Sequence, residues 1–279
     1  MPDTSLLADR YRVGRVLITS SRAEVRRGQD TVLVRDVAIK FFRPGADTSR
    51  VDDEIRALAR LSHRGLVSVF DADPSADVPY AVLERVEGRT LHDRVSAGRM
   101  SIGDVRRLGA ALADALAHVH SHGFVHCGVK AATVILGDDD APRLADFGLA
   151  HLADGTRLTK PGQDVGATAY LAPEQVHGEN ITSAVDVYAL GRLLLECLTG
   201  RRQGPPQVPD GLPSDLARLL MCMTSPSAAR RPSAQACLDA LPVVGPPTLV
   251  TPLRVSAPRV PDDLESIRGE LSPRDRCAS

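Results

Sequence analysis

The sequence predicts an α+β fold of two lobes, in which a small antiparallel β-sheet lobe with one main helix precedes a larger, mainly α-helical lobe. Residues 11–84 contain short apolar runs rich in β-branched residues, whereas helix-period patterns dominate after residue 87. A proline-rich stretch without periodicity begins at residue 242. We therefore predict an N-terminal extension at 1–10, a first lobe at 11–86, a second lobe at 87–241 and a disordered tail at 242–279.

The first lobe is predicted from two strands and a helix between them. Residues 31–42 (TVLVRDVAIKFF) are rich in β-branched residues and predict a strand, which a turn at residues 28–30 precedes. Residues 78–83 (VPYAVL) predict another strand. Residues 51–61 repeat apolar side chains at helical spacing and therefore predict a helix beside the sheet.

The second lobe is predicted to begin with a long amphipathic helix at residues 102–120, where leucine and valine recur every three or four positions. Short strands are expected near residues 124–125, 134–136 and 143–145, with a hairpin turn at 137–140. Further helices are predicted at residues 183–198, 213–223 and 233–241.

Charge and cysteine usage exclude several classes of function. Lys and Arg total 34 against 35 Asp and Glu, so no overall basic field would attract nucleic acid. No apolar run reaches the roughly 18 residues of a membrane span. The five cysteines form no C-x-x-C pair and no apolar leader begins the chain, which predicts a cytoplasmic protein without a disulfide framework.

Lysine is rare in this chain. The only lysines are Lys40, Lys130 and Lys160, against 31 arginines. A GC-rich genome produces such a bias, and it leaves lysine mainly where arginine cannot serve. We therefore treat the three positions as candidates for sites that need a compact ammonium group rather than a planar guanidinium.

Four motifs follow one another in a fixed order. Residues 37–40 (VAIK) lie on a predicted strand, Glu54 lies on the next helix, residues 146–148 (DFG) follow a short strand, and residues 172–174 (APE) come later. In this order they resemble the protein-kinase family, and the wording around them is most similar to bacterial, actinobacterial-type serine/threonine kinases. The resemblance spans roughly residues 11–241 and implies a two-lobed protein-kinase-like fold.

The resemblance implies a cofactor, ATP with Mg, and assigns residues to it. In the family a strand lysine holds the ATP phosphates and is itself held by a helix glutamate, and the aspartate of the DFG motif binds the metal. Lys40, Glu54 and Asp146 match these three positions. The cofactor-binding residues implied in this way are Lys40, Glu54, Val25, Ala38, Glu84, Val86, Ile135 and Asp146, with Asp146 as the metal ligand.

The lid over the phosphates departs from the family pattern. Where the family reads G-x-G-x-x-G, residues 18–23 read ITSSRA and contain no glycine. Glycines let backbone N–H groups approach the phosphates closely. Ile18 is β-branched at the position of closest approach, so the resemblance implies a stiffer lid and weaker nucleotide binding.

The catalytic loop departs further. The family's H-R-D-x-x-x-x-N matches residues 126–133 (HCGVKAAT), with Gly128 at the general-base aspartate, Thr133 at the asparagine that binds the second metal, and Cys127 at the arginine that pairs with a phosphorylated activation loop. Lys130, which contacts the transferred phosphate in the family, is retained. Loss of a general base removes about 10²–10⁴ in rate.

We interpret the chain as a pseudokinase, a regulatory or scaffolding binding module in serine/threonine phosphosignalling that binds ATP weakly. The expected partner is another protein, either an active serine/threonine kinase or a phosphothreonine-binding protein. Two alternatives stay open. The retained Lys40, Lys130 and Asp146 are compatible with a weakly active serine/threonine kinase that transfers the γ-phosphate of ATP, and Ile18 in the lid is compatible with a pure scaffold that binds no nucleotide.

Several other residues have structural interpretations. Asp186 matches the buried acid that holds the catalytic-loop backbone, and Glu174 with Arg231 matches a buried ion pair, so these residues support the fold rather than activity. A histidine cluster is formed by His118, His120, His122 and His126, which end a helix and enter a loop without matching carboxylate or cysteine partners, and this disfavours a zinc site. Cys127 is interpreted as an inert thiol.

Overall fold

The computed structural model describes residues 6–20, 23–43, 55, 60–146, 151–152 and 168–241, and it confirms the predicted two-lobed α+β fold. The first lobe contains a five-stranded antiparallel sheet with the strand order β1-β2-β3-β5-β4. Its strands are β1 (Tyr11–Thr19), β2 (Ala23–Asp30), β3 (Arg35–Phe42), β4 (Val69–Asp73) and β5 (Tyr80–Glu84).

The two faces of this sheet bury different clusters. On one face Val37 and Ile39 of β3 pack with Tyr11, Tyr80 and Val82. Since side chains alternate along a strand, Ala38, Lys40 and Phe42 belong to the other face. There Phe42 and Ala81 pack against Ile55. Ile55 and Arg60 are helical, and the remaining residues of the predicted helix at 51–61, except Leu61, lie outside the described residues.

The prediction for residues 28–34 is wrong. Residues 28–30 belong to strand β2, and residues 31–34 form the turn to β3, where Val32, Leu33 and Val34 are exposed. The turn is fixed by Asp30, whose buried carboxylate pairs with Arg10 at 2.8 Å and accepts hydrogen bonds from the N–H groups of Val32 and Leu33. The strand propensity of this β-branched run is therefore outweighed by a tertiary ion pair that the sequence pattern does not reveal.

The second lobe is built mainly from helices. Helix α2 begins after Ser101, whose hydroxyl oxygen accepts the Asp104 N–H, and it packs against α4 and α6. Gly191 lets α4 approach α5, because a Cβ there would lie 2.9 Å from the Cβ of Met223. The α-helices are α1 (Leu91–Ser96), α2 (Ile102–Ser121), α3 (Pro173–His177), α4 (Ala184–Thr199), α5 (Ser214–Met223) and α6 (Ala234–Asp239).

Two small sheets are formed by strands between residues 88 and 152. The first has the strand order β6-β8-β9 and the second pairs β7 with β10. Gly137 and Asp140 close the predicted hairpin turn between β8 and β9 through a 2.9 Å backbone hydrogen bond. The strands are β6 (Gly88–Thr90), β7 (Phe124–Val125), β8 (Val134–Gly137), β9 (Pro142–Leu144) and β10 (His151–Leu152).

Within the described ranges, no helix is long and apolar enough to cross a membrane. The predicted ion pair between Glu174 and Arg231 is confirmed, with both side chains buried and a nitrogen–oxygen distance of 2.5 Å. Some features of the sequence prediction lie outside the described residues, namely Glu54, the Phe147-Gly148 pair of the DFG motif, Lys160 and the tail at 242–279.

Candidate functional site

Lys40 lies on the face of β3 that also carries Ala38 and Phe42. The strand register places it opposite Val25 of β2 and Ala81 of β5. The Lys40 side chain is 8% exposed, and its ammonium nitrogen lies 5.1 Å from the centre of the Phe42 ring. A buried ammonium group is costly without compensating negative charge, so this position requires an acidic partner.

Asp146 supplies negative charge from the second lobe. Its Oδ1 atom lies 2.7 Å from Nζ of Lys40, although the two residues are 106 positions apart. The positive charge of Lys40 holds the pKa of Asp146 below its usual value against the opposing effect of burial, and Lys130 and His126 add to this lowering. The Asp146 side chain is 52% exposed, so part of the carboxylate faces solvent. The two family positions predicted for phosphate and metal binding are thus in direct contact.

The backbone at Asp146 is unusual. Its φ angle is 57°, in the left-handed region that aspartate tolerates better than most residues. The preceding Ala145 is fixed by a 2.8 Å hydrogen bond from its N–H to the carbonyl oxygen of Thr133. This bond ties the chain before Asp146 to the end of the catalytic loop.

Asp186 of α4 anchors the start of the catalytic loop. Its fully buried carboxylate accepts hydrogen bonds of 2.8 Å from the backbone N–H groups of His126 and Cys127. The predicted role of Asp186 is therefore confirmed. The same carboxylate lies 2.8 Å from Nε2 of His120, a partner that the sequence pattern did not reveal.

Thr133 braces the loop from within. Its hydroxyl donates to the carbonyl oxygen of Gly128 at 2.7 Å, and its oxygen accepts the N–H of Lys130 at 3.2 Å. Thr133 is buried, so these bonds form away from water. At the position of the family's metal-binding asparagine, the hydroxyl is therefore engaged with the loop backbone.

Gly128 offers only backbone at the general-base position. Its N–H donates to Nδ1 of His126 at 3.1 Å, and its carbonyl oxygen accepts the Thr133 hydroxyl. Burial lowers the pKa of His126 to about 4, so this ring is neutral at physiological pH and can accept the hydrogen bond. The loop geometry is consequently well defined without a carboxylate at residue 128.

Cys127 lies within this loop and has a φ angle of 56°. Burial raises the pKa of its thiol well above the usual value, and the negative charge of Asp186 adds to this effect. The thiol therefore stays protonated near neutral pH, and a protonated thiol is a poor nucleophile. This environment supports the interpretation of Cys127 as inert.

The predicted adenine neighbours come from both lobes. Val25 and Ala38 are half-buried and share the sheet face of Lys40. Ile135 is half-buried in β8 of the second lobe. The assignment of these three residues to an apolar part of the candidate site stays a prediction.

Glu84 and Val86 lie at the end of β5 and in the segment that follows it. The Glu84 carboxylate accepts the Ser68 N–H at 3.1 Å, and the Glu84 N–H donates to the Ser68 carbonyl oxygen at 2.8 Å. Val86 is half-buried. Glu84 is thereby tied to the segment before β4, and its contact with a nucleotide stays a prediction.

Ser20 and Ala23, at the ends of β1 and β2, bond to each other across the lid. The Ser20 N–H donates to the Ala23 carbonyl oxygen at 2.9 Å, and the Ala23 N–H donates to the Ser20 hydroxyl at 3.1 Å. Ile18 is 57% exposed and lies opposite Val25 in the register, on the same face as Lys40. The N–H groups of Ser20 and Ala23 are therefore used inside the turn.

A buried network under the catalytic loop was missed by the sequence prediction. The Tyr170 hydroxyl donates to the Glu196 carboxylate and lies 3.5 Å from the Ala131 backbone nitrogen. Arg202 completes the charge balance with a 3.1 Å bond to Glu196. Burial, followed by the bond to Glu196, raises the pKa of Tyr170. Only the apolar context of Glu196 in the helix pattern could have signalled a buried carboxylate.

The donor set fits a nucleotide better than it fits two metal ions. Asp146 offers one partly exposed carboxylate, and no group of three His, Cys, Asp or Glu side chains that could hold a metal occurs in the described part of the chain. The cations Lys40 and Lys130 and the apolar residues Val25, Ala38 and Ile135 fit phosphate and a planar ring. A single Mg²⁺ bridging phosphate and Asp146 is chemically compatible with this set.

The family model described as protein kinase domain matches residues 11–240. The DNA damage-responsive serine/threonine-protein kinase RqkA of Deinococcus radiodurans is 36% identical over 265 residues, which cover 84% of this chain and 39% of RqkA. Serine/threonine-protein kinase PknB of Mycolicibacterium smegmatis is 36% identical over 218 residues, covering 73% of this chain and 34% of PknB.

Serine/threonine-protein kinase PknL of Mycobacterium tuberculosis is 32% identical over 283 residues, covering 92% of this chain and 71% of PknL. The chain therefore spans most of the length of PknL. It spans about two fifths of the length of RqkA and a third of the length of PknB.

Proposed function

The chain belongs to the protein kinase family, and we propose that it is a pseudokinase, a regulatory or scaffolding binding module in serine/threonine phosphosignalling. The observation that carries this proposal is the environment of Gly128. The residue has no side chain to accept a proton, and its two backbone groups are occupied by His126 and Thr133.

The missing base alone does not abolish phosphoryl transfer, because positioning and charge neutralisation supply most of the rate enhancement. The other changes matter for this reason. The lid uses the N–H groups of Ser20 and Ala23 within its own turn, and the Thr133 hydroxyl is engaged with the loop. Positioning of the phosphates and of a second metal is thus weakened together with the base.

Weak binding of ATP with Mg²⁺ is part of the proposal. The metal would neutralise phosphate charge and be held by Asp146, while Lys40 and Lys130 would contact phosphate oxygens. Lys40 must then exchange part of its contact with Asp146 for phosphate. This exchange opposes binding, which is why we propose a weak rather than a tight nucleotide site.

The proposed partner is another protein, an active serine/threonine kinase or a phosphothreonine-binding protein. The support is chemical: a kinase fold that lacks transfer machinery acts through what it binds. Calorimetric titration with one purified representative of each class tests this part. Saturable binding to either class supports the proposal, and no binding to both contradicts the partner assignment.

A restoration experiment tests the pseudokinase assignment. We expect the native chain to transfer γ-phosphate from labelled ATP to a generic basic protein no faster than the Lys40→Met variant. The double variant Gly128→Asp, Thr133→Asn should exceed both, because it returns a base and a metal ligand to a loop that is already anchored by Asp186. Native activity that requires a divalent metal and is lost in Lys40→Met would instead establish a weakly active kinase.

Thermal-shift titration with ATP and Mg²⁺ tests the nucleotide site separately. A dose-dependent rise in Tm that is smaller in Lys40→Met supports weak binding. No shift in the native chain at millimolar ATP would leave the pure scaffold as the function. Because this readout requires no transfer, its failure is distinguishable from failure of the pseudokinase assignment.

A further inference from the structure

Three histidine rings lie in a row where residues 61–66 meet α2, with the His63–His118 pair stacked and the His118–His122 pair tilted. The ring centroids of His63 and His118 are 5.1 Å apart, and those of His118 and His122 are 4.4 Å apart. His118 and His122 lie on and just after α2, whereas His63 lies on the segment of residues 61–66 that leads to β4. We call His63, His118 and His122 the imidazole stack.

The central ring, that of His118, lies in an environment that disfavours its protonated form. Nε2 of His118 is buried and has no hydrogen-bond partner within the described part of the chain. Burial lowers the pKa of His118, and the neighbouring rings of His122 and His63 lower it further, against a smaller opposing effect of Asp114. The folded protein therefore favours the neutral form of this ring more strongly than the unfolded chain does.

His63 holds its own loop through a bond that protonation would break. Its Nδ1 accepts the backbone N–H of Gly65 at 3.0 Å. An imidazolium carries a proton on both nitrogens and can accept no hydrogen bond. Gly65 also lies directly on α2, since a Cβ there would be 3.0 Å from the Cβ of Ala115. Loss of the bond would therefore disturb a close contact between loop and helix.

The charged groups facing the stack come from three elements. On α2, Asp114 lies 3.4 Å from Nε2 of His63 and 3.0 Å from the Arg64 guanidinium. From β9, the Arg143 guanidinium donates to the Arg64 carbonyl oxygen. Asp114 is thus the anion available to a protonated His63, and it is already shared with Arg64.

The loop that carries His63 is hydrogen-bonded to β9, the strand before Asp146. The Leu144 N–H donates to the Gly65 carbonyl oxygen at 2.8 Å, and the Val67 N–H donates to the Leu144 carbonyl oxygen at 3.0 Å. Leu144 is two residues before Asp146. The imidazole stack is therefore connected to the candidate site by backbone hydrogen bonds.

We propose that the imidazole stack is a pH-sensitive clasp that holds residues 61–66 on α2 while its rings are neutral and releases them when they are protonated. Neutral rings stack and let Nδ1 of His63 accept the Gly65 N–H, whereas protonated rings repel each other and lose that bond. Release frees Gly65 and Val67 from Leu144, which loosens the strand before Asp146. The inference does not depend on the proposed function.

The sign of the effect on stability follows from the depressed pKa of His118. Between that pKa and the value of about 6.5 in an unfolded chain, the unfolded state binds more protons than the folded state. Stability is therefore complete above about pH 6.5 and is lost as the pH falls below it. His126 contributes a loss of the same sign, because its folded pKa is about 4.

Substitutions in the imidazole stack separate its contribution to the acid response from that of His126. His118→Phe keeps an aromatic ring in the stack but cannot titrate, and His63→Asn keeps an acceptor for the Gly65 N–H at every pH. His122→Gln, at an exposed position, replaces the outer ring if His118→Phe does not fold. The matched control is His177→Gln, which removes an exposed histidine remote in sequence from the stack.

Urea denaturation of the full chain at pH 7.5 and pH 5.5 is the test. We expect the unfolding equilibrium constant of the native chain and of His177→Gln to rise severalfold from pH 7.5 to pH 5.5. The constants of His118→Phe and His63→Asn should rise clearly less. Amide hydrogen exchange at Val67 and Leu144, corrected for intrinsic rates, should accelerate at pH 5.5 in the native chain more than in His63→Asn. An equal acid response in the native chain and both stack variants would overturn the proposal.

Discussion

Lys40 and Asp146 contact each other across the two lobes, with the ammonium nitrogen 2.7 Å from a carboxylate oxygen. The lysine is nearly buried and the aspartate is half exposed. The pair thus joins the sheet of the first lobe to the chain that follows β9 in the second.

Asp146→Asn should destabilise the chain by about 1 kcal/mol at pH 7, because it leaves the buried Lys40 charge without that carboxylate while the exposed side of the pair is screened by water. Lys40→Met should cost less, since it replaces the charge with an apolar side chain of similar length. Urea denaturation measures both changes. Equal cost for the two variants would contradict this reading of the pair.

The same pair predicts a pH dependence. The pKa of Asp146 is lowered in the folded chain by Lys40, so its contribution is complete above the unfolded value of about 3.9 and is lost as the pH falls below it. The stability difference between the native chain and Asp146→Asn should therefore be constant from pH 7 to pH 5 and shrink toward pH 3. A stability difference that grows on acidification would contradict a stabilising contact between Lys40 and ionised Asp146.

Thr133→Val should destabilise by about 1–3 kcal/mol, because a methyl group replaces the hydroxyl and leaves the Gly128 carbonyl and the Lys130 N–H without this partner. Thr133→Ser keeps the hydroxyl and is the matched control, with an expected cost below that of Thr133→Val. Chemical denaturation at pH 7.5 measures the difference. Equal stability of the two variants would show that the hydroxyl does not brace the loop.

Asp186→Ala should cost on the order of 3 kcal/mol or prevent folding, since it leaves the N–H groups of His126 and Cys127 unpaired in the interior. Asp186→Asn retains one acceptor oxygen and should be tolerated better. Asp215→Ala is the control, because Asp215 is 60% exposed in its pair with Arg106 and its loss should cost the least of the three. The free energies of unfolding rank the three variants.

The sequence predicted an element of the fold correctly where a local residue pattern determines that element. The apolar period of residues 102–120 predicted helix α2 within one residue, because packing of that stripe determines the helix. The strand prediction for residues 31–34 was wrong for the opposite reason. There the buried Asp30 pairs with Arg10, which lies 20 positions earlier in the chain. This ion pair imposes a turn on a run that local propensity favours as a strand.

The candidate site shows the same division. Motif order identified Lys40 and Asp146 as residues to examine together, and the structure brings them into contact. The pattern could not reveal that the Thr133 hydroxyl bonds to Gly128, or that Tyr170 meets Glu196 under the loop. Such contacts depend on side-chain geometry across loops, for which a single sequence carries no periodic signal. The roles assigned to the site residues stay predictions.

Cysteine alkylation provides a prediction independent of stability. Burial raises the pKa of Cys197 and of Cys237 to about 12 and also raises that of Cys127, whereas Cys222 is exposed. In a Cys277→Ser background, iodoacetamide at pH 7.5 should modify Cys222 first, with the other three protected until unfolding. Peptide mass spectrometry identifies the modified residue. Early modification of Cys127 would contradict the inert environment described for it.

The central claim is that this kinase fold does not transfer phosphate. The most direct measurement is the initial rate of γ-phosphate transfer from labelled ATP, with Mg²⁺ and with Mn²⁺, in the native chain and in Asp146→Ala. We predict that the two rates are indistinguishable from each other and from a blank without protein. A native rate above the Asp146→Ala rate that scales with protein concentration and needs the metal would contradict the claim and make the chain an active serine/threonine kinase.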